Sequence, residues 1–218
     1  MNFTDPQVSQ LIELAIAEDI GDGDHSSLGA IASNEKGKAR LLVKDAGVLC
    51  GIHLAKHIFH RLDSTLVFEP YLEEGSRVKV GDITFSVRGS IHSILQAERL
   101  VLNFMQRMSG ISTLTKRLVD IIEGTGAQLL DTRKTTPGMR VFEKYAVSIG
   151  GGVNHRMGLF DMVMLKDNHN DYAGGITAAV NQTKAYRTSE GKSVKIQGET
   201  RNLEEVKEAR AVGVDRIM

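Results

Sequence analysis

Hydrophobic positions divide the chain into two regions with different periodicities. In the first region, apolar residues recur at helical spacing in three stretches, 7–18, 51–62 and 91–123. Short β runs separated by glycine turns fall between residues 37 and 90. Ser109 and Gly110 predict that the third helical stretch breaks into two helices. This region is therefore predicted to form an antiparallel sheet with helices on one face.

After Gly124 the pattern changes to strands that alternate with helices. Apolar runs predict strands at 128–130, 162–165, 194–196 and 214–218, and helical segments lie between them, around 139–147, 172–186 and 203–212. Such alternation produces a parallel sheet. We favour an incomplete α/β barrel over an open dinucleotide-binding sheet, because no Gly-x-Gly-x-x-Gly turn follows a strand. The predicted fold class is therefore α/β.

Polar side chains follow the apolar runs of the predicted barrel, or lie in the loop after its first helix. These side chains are Thr132, Arg133, Lys134, His155, Arg156, Lys166 and Glu199. Because barrel enzymes have their sites at the carboxyl ends of the strands, we expect these side chains to lie together. Adjacent cations at the end of a buried strand are costly to desolvate unless they meet anions. The pattern therefore favours a site for a substrate that carries carboxylates or phosphates.

An internal ion-pair network is the alternative interpretation of these charges. In that case the arginines and lysines would pair with Asp131, Asp161, Asp167 and Glu199. Four charged clusters, each at a strand end or in the loop after the first helix of the predicted barrel, favour a binding site over such a network. From its spacing alone, Arg99 is interpreted as a solvated helix residue.

Composition narrows the class of protein. The 27 basic and 27 acidic residues give a net charge of zero, which argues weakly against nucleic acid as a partner. The single cysteine, Cys50, lies in an apolar context and is interpreted as a core residue. His53, His57 and His60 have helical spacing but no accompanying carboxylate or cysteine, so an exposed stripe is favoured over a metal site. Without an apolar run of membrane-spanning length or a signal peptide, we expect a soluble cytoplasmic protein.

Five motifs together resemble the quinolinate phosphoribosyltransferase family over nearly the whole chain. They lie at 18–24, 97–103, 131–138, 151–156 and 165–169. The resemblance implies an amino-terminal α/β sandwich domain at 1–110, a carboxyl-terminal incomplete α/β barrel domain at 111–218, and a homodimer or higher homo-oligomer. It implies transfer of phosphoribose from phosphoribosyl pyrophosphate to quinolinate, with Mg²⁺ on the phosphates. The products would be nicotinate mononucleotide, pyrophosphate and carbon dioxide, in the de novo synthesis of NAD.

The resemblance also implies a role for each candidate residue. Arg133, His155 and Arg156 would hold the quinolinate carboxylates, and Thr132 would line the pocket. Arg99 would join them from the partner subunit, contrary to the interpretation from its spacing. The remaining residues would act on the ribosyl donor: Lys134 and Lys166 at its phosphates, and Glu199 at the ribose.

Two departures from the family pattern leave other functions open. Gln197 and Gly198 replace a frequent glutamate and a β-branched residue of the family. The resemblance also implies further site residues after Met218, so we expect the native chain to continue. The alternatives are the molybdenum-transport-associated paralogue of the same fold and a non-catalytic binding protein.

Overall fold

The amino-terminal region consists of helices packed on antiparallel strands. The computed structural model describes residues 1–218, in two units, Met1–His155 and Arg156–Met218. The first unit contains, in chain order, α1 (Pro6–Ile20), α2 (His25–Ala30), β1 (Lys36–Leu42), β2 (Gly47–Val48), α3 (Ile52–Leu62), β3 (Val67–Pro70), β4 (Arg77–Val78), β5 (Ile83–Ser90), α4 (Ile91–Ile121) and α5 (Arg140–Ile149).

Strand β5 is the centre of the main sheet in this unit. It pairs antiparallel with β1 on one side and with β3 on the other, and β2 and β4 form a separate antiparallel pair. Phe85 of β5 is buried and lies 4.5 Å, between ring centroids, from Phe68 of β3. The ring of Phe59 on α3 packs against both rings. Its centroid lies 6.0 Å from that of Phe68 and 6.1 Å from that of Phe85, distances that are typical of aromatic pairs. The predicted antiparallel sheet is confirmed.

Helix α4 is continuous over 31 residues, so the predicted break at Ser109 and Gly110 is wrong. Packing outweighs the low helix propensity of glycine here. Met108 and Ser112 are fully buried on either side of Gly110, and the Ser112 hydroxyl donates to the Ala146 carbonyl of α5 at 2.7 Å. The helix therefore runs without interruption across the predicted boundary between residues 110 and 111, and that domain boundary stays a prediction.

Helix α5 presents an apolar side to α4 and carries charged residues elsewhere. Phe142 and Ala146 are fully buried, and the Phe142 ring lies 4.9 Å from that of Phe104 on α4. Arg140, Glu143 and Lys144 supply the charges. These three side chains contact the segment that precedes α5.

The strand predicted at 128–130 is not formed as such. Only a single parallel bridge joins Leu130 to Val153, with the Val153 amide donating to the Leu129 carbonyl at 2.8 Å. The apolar run is too short to extend the ladder, because Gly150 and Gly152 precede the partner residue and polar residues begin at Asp131.

The second unit is a three-stranded parallel sheet with helical connections. It contains β6 (Met162–Leu165), α6 (Asp167–Ala173), α7 (Ile176–Ser189), β7 (Lys195–Gly198), α8 (Leu203–Val212) and β8 (Arg216–Ile217). The strand order is β6-β7-β8, and Leu165 lies opposite Gly198. The apolar core between sheet and helices includes Ile196 and Val180, which are almost fully buried. The predicted alternation of parallel strands and helices is confirmed, and none of the helices is both long and apolar enough to cross a membrane.

The continuity of α4 predicts that Gly110→Ala stabilises the protein. Gly110 is exposed, and an added Cβ would have no heavy atom within 4 Å. Alanine in a helix interior should therefore raise the free energy of unfolding by about 0.5–1 kcal/mol, measured by urea denaturation. Gly81→Ala is the matched control, because its Cβ also meets nothing but its φ is +94°. That variant should be destabilised by about 1 kcal/mol. A loss of stability in Gly110→Ala would contradict a continuous helix.

Candidate active site

A buried ion pair lies at the start of the segment between the Leu130 bridge and α5. Lys144 Nζ donates to Asp131 Oδ1, and the side chains are only 2% and 7% exposed. Asp131 also accepts from the His155 amide at 2.8 Å and from Asn154 Nδ2 at 2.7 Å. Lys144 Nζ donates further to the His155 carbonyl at 3.1 Å, and Asn154 Nδ2 to the Lys144 carbonyl at 2.8 Å. Four residues are thereby joined in one network around a single carboxylate.

A second network holds the far end of the same segment. Glu143, which is 8% exposed, accepts from Arg107 Nε at 2.8 Å and from the Thr136 amide at 3.3 Å. Arg107 Nη2 also donates to the Thr136 hydroxyl at 2.5 Å. Arg140 completes the attachment, because its guanidinium donates to the Thr135 hydroxyl at 3.1 Å and to the Arg133 carbonyl at 3.4 Å.

The three candidate residues of this segment lie between the two networks. Thr132 and Lys134 are exposed, and the Lys134 amide donates to the Thr132 hydroxyl at 3.0 Å. Arg133 is half-buried, and its Nε is a buried donor without a hydrogen-bond partner. An unsatisfied buried donor on a cation is costly, and an anion placed there would remove the cost.

Arg156 is the most buried candidate residue and belongs to the second unit. It is 8% exposed, and its guanidinium donates to the Met162 carbonyl at 3.3 Å and approaches Met164 Sδ at 3.5 Å. These contacts attach the arginine to β6. Its planar head is therefore oriented by the strand itself.

Lys166 and Glu199 follow neighbouring parallel strands at the same edge of the sheet. Lys166 comes directly after β6 and Glu199 directly after β7, and the Glu199 amide donates to the Leu165 carbonyl at 2.8 Å. His169 Nδ1 accepts from the Lys166 amide at 3.0 Å, and Asn170 Nδ2 donates to the Glu199 carbonyl at 3.3 Å. The backbone of both residues is thus held while the Lys166 side chain is exposed.

The predicted residues therefore fall into groups within each unit. Thr132, Arg133, Lys134 and His155 are brought together in the first unit, and Lys166 and Glu199 in the second, which also contains Arg156. Arg99 is exposed on α4, and it is more than 30 positions before the segment at 131–136 in the sequence. The ion-pair interpretation holds for Asp131, whose partner is Lys144.

Lys144, Asn154 and Glu143 were not among the predicted site residues. Their contacts join residues that are distant in the sequence, so a search for polar residues after predicted strands does not identify them. The signal that was available is the placement of Arg140, Glu143 and Lys144 at i, i+3 and i+4, which puts three charges on one side of a helix.

The remaining candidates for chemistry are structural. His57 stacks on Phe3 at 4.5 Å, His60 Nε2 is 3.1 Å from the Leu66 carbonyl, and no group of three or more metal-binding side chains is formed. Cys50 is fully buried, and burial raises the pKa of its thiol above the usual value, so the reactive thiolate is suppressed. The interpretation of Cys50 as a core residue is confirmed.

Known protein families match both parts of the chain. The family model described as "Quinolinate phosphoribosyl transferase, N-terminal domain" matches residues 24–109, and the corresponding "C-terminal domain" matches residues 111–218. A crystal structure of NadC from Streptococcus pyogenes superimposes with a TM-score of 0.93 and 36% identity, over 100% of this chain and 76% of that one. The α/β fold is thereby confirmed.

Curated relatives agree with the family models. "Quinolinate phosphoribosyltransferase [decarboxylating] 1b" of Nicotiana tabacum is 47% identical over 91% of this chain, which spans only 56% of that protein's length. "Probable nicotinate-nucleotide pyrophosphorylase [carboxylating]" of a Synechocystis strain is 43% identical over 93% of this chain and 68% of its own length. With both domain models matched and a relative covered over more than two thirds of its length, the chain belongs to the quinolinate phosphoribosyltransferase family.

Proposed function

We propose that this protein transfers phosphoribose from phosphoribosyl pyrophosphate to quinolinate, with loss of carbon dioxide, to give nicotinate mononucleotide and pyrophosphate. It would thereby act as a pentosyltransferase in the de novo synthesis of NAD. The named activity of relatives at more than 40% identity supports this function. The observation that carries it is Arg133, a cation whose buried Nε lacks a partner at a rigidly attached segment.

Quinolinate is a pyridine dicarboxylate, and a pair of arginines suits it. Arg133 and Arg156 would each offer a planar fork of donors that matches a carboxylate. His155 would add a third contact, and Thr132 would line the pocket. The Arg156 guanidinium is attached to β6 by its bond to the Met162 carbonyl, and the backbone of Arg133 is held by Arg140. Orientation of the ring before reaction lowers the barrier, because little entropy remains to be lost.

The residues after β6 and β7 suit the ribosyl donor. The ring nitrogen of quinolinate bonds to the ribose C1 carbon as the bond to pyrophosphate breaks, and positive charge develops on the sugar. The Glu199 carboxylate would stabilise that charge, and Lys134 and Lys166 would meet the donor phosphates. The carbon–carbon bond to the 2-carboxylate then breaks. Its electron pair is drawn toward the positively charged ring, and a proton takes the place of carbon dioxide.

Mg²⁺ would enter this site with the donor. The protein has no group of three or more carboxylate, histidine or cysteine side chains that could hold a metal by itself. Mg²⁺ commonly keeps several waters and binds through substrate phosphates with few protein ligands, so the phosphates of the donor would be its main ligands. It would neutralise charge on the leaving pyrophosphate.

The functional unit would be a cytoplasmic homodimer, or a higher homo-oligomer, in which Arg99 acts across the interface. Arg99 is exposed on α4, where a partner subunit can reach it. Its guanidinium would then contact a quinolinate carboxylate held mainly by the other subunit. The arginines at 99, 133 and 156 are the features that favour this function over the molybdenum-transport-associated paralogue or a non-catalytic binding protein.

The activity itself is tested by incubating full-length protein with quinolinate, phosphoribosyl pyrophosphate and Mg²⁺. We expect nicotinate mononucleotide and pyrophosphate in equal amounts, measured by chromatography, and release of carbon dioxide from the 2-carboxylate. Nicotinate in place of quinolinate should give little product, because it lacks the second carboxylate. An absence of nicotinate mononucleotide from folded full-length protein would refute the proposed function.

Replacing Arg133 by lysine should weaken quinolinate binding selectively. The charge remains, but the planar fork is lost. We expect KM for quinolinate to rise about tenfold or more, which corresponds to loss of one charge-assisted hydrogen bond, while KM for the ribosyl donor changes little. Arg210→Ala, at an exposed position of α8, is the control and should leave both constants unchanged. Equal changes of both constants in Arg133→Lys would argue against a carboxylate contact.

Mixing two inactive variants tests the role of Arg99 across the interface. Arg99→Ala and Lys134→Ala subunits should each be nearly inactive alone. After mixing under conditions that exchange subunits, half of the dimers are hybrid and one of their two sites is intact, so about a quarter of the wild-type activity should return. No recovery in dimers shown by mass spectrometry to be hybrid would place Arg99 within its own subunit's site or outside any site.

A further inference from the structure

Helix α5 attaches both ends of the segment that carries Thr132, Arg133 and Lys134. Lys144 binds the start of the segment through Asp131, and Glu143 binds its end through the Thr136 amide. Arg140, one turn earlier, donates to the Arg133 carbonyl in the middle. Three side chains of one helical side thus contact the beginning, the middle and the end of the same short segment.

The contact at the start of the segment also includes the loop that follows α5. The carboxylate of Asp131 accepts from the His155 amide at 2.8 Å, and Lys144 Nζ donates to the His155 carbonyl at 3.1 Å. Asn154 Nδ2 adds a bond to the other oxygen of Asp131 at 2.7 Å. Asp131 directly precedes Thr132 and Arg133, and Asn154 directly precedes His155. The positions of two candidate quinolinate contacts are therefore set relative to one carboxylate.

Burial makes this ion pair a precise attachment. Both side chains are almost fully withdrawn from water, so either charge alone would be strongly unfavourable, and the pair has little freedom to separate. Both carboxylate oxygens of Asp131 accept hydrogen bonds from the protein. Neither Lys144 nor Asp131 is therefore available as a direct ligand for substrate, and the pair can act only through the residues beside it.

We propose that Lys144 and Asp131 are positioning residues, which hold Arg133 and His155 at the separation that the two carboxylates of quinolinate require. This inference rests on the proposed function. Loss of the pair would let the Arg133 segment and the His155 loop shift independently. Quinolinate binding would then weaken even in molecules that stay folded, because displacements of about 1 Å at a site cost large factors in rate or affinity.

If Lys144 and Asp131 served only to stabilise the fold, quinolinate binding would recover together with stability. A double variant distinguishes this case from a positioning role. Lys144→Met alone leaves the Asp131 carboxylate buried without its cation, so it should lower Tm as well as quinolinate affinity. Lys144→Met with Asp131→Asn removes both charges and should recover most of the lost Tm. Methionine cannot donate to the His155 carbonyl, however, and the amide at position 131 keeps only one acceptor oxygen for the His155 amide and Asn154, so the attachment between the two segments stays weakened. KM for quinolinate should therefore stay at least about tenfold above wild type in the double variant.

Asn154→Ala provides a second, milder variant. Asn154 is exposed, and its replacement removes two hydrogen bonds to the network without burying a charge. The protein should keep its Tm within a few degrees, while KM for quinolinate rises about threefold to tenfold. Lys116→Met is the matched lysine control, because Lys116 forms only a half-exposed ion pair with Asp120 on α4. That variant should keep the wild-type KM.

The measurements are Tm by circular dichroism, KM for each substrate, and the dissociation constant of quinolinate by calorimetry. A double variant whose KM and Tm return together would overturn the inference, and so would an unchanged KM in Asn154→Ala. If the double variant does not fold, Asn154→Ala decides alone. If the wild-type protein forms nicotinate mononucleotide and these variants have the same KM and dissociation constant for quinolinate, only the positioning role is refuted. Wild-type protein that neither binds quinolinate nor forms product refutes the proposed function, and the positioning role with it.

Discussion

The cost of removing charge from water governs how the segment after Leu130 is built. Asp131 and Lys144 are both buried, and each compensates the other with additional donors from Asn154 and His155. Two residues further on, Arg133 has a buried Nε for which the protein supplies no acceptor. The fold thus neutralises the Lys144 cation and leaves a donor of the Arg133 cation without an acceptor. This contrast separates the residues that hold the site from those that would bind substrate.

In the second unit, a buried charge is also stabilised by contacts within the protein, here with a strand. Arg156 is buried, and the carbonyl of Met162 and the sulfur of Met164, both on β6, take up its donors. Lys166 and Glu199 instead lie just beyond β6 and β7, where water or substrate can reach them. Parallel strands bring their carboxyl ends to one edge, so residues distant in the chain become neighbours without any long loop. Short polar motifs directly after β6 and β7 therefore place Lys166 and Glu199 at one edge of the sheet.

Much of this architecture could be predicted from periodicity, and the failures have physical reasons. The strands β5, β6 and β7 and the helices α1, α3 and α8 follow the apolar pattern closely. The predicted break at Ser109 and Gly110 is wrong because buried residues on both sides keep α4 continuous, which no local propensity reveals. The strand at 128–130 was reduced to one bridge, because its partner is a glycine-rich loop rather than a strand. Lys144 was missed as a site component because its partner lies thirteen positions away, on another element.

The two interpretations of the charged residues, ion-pair network and anion site, are not exclusive. A positively charged pocket is stable only if its cations are held apart and oriented before substrate arrives. A neutralised pair such as Lys144 and Asp131 does this without adding net charge to the pocket. The adjacent Glu143 and Arg107 pair performs the same task at Thr136. The ion-pair networks therefore hold the backbone on both sides of Arg133, and they are compatible with an anion site at that residue.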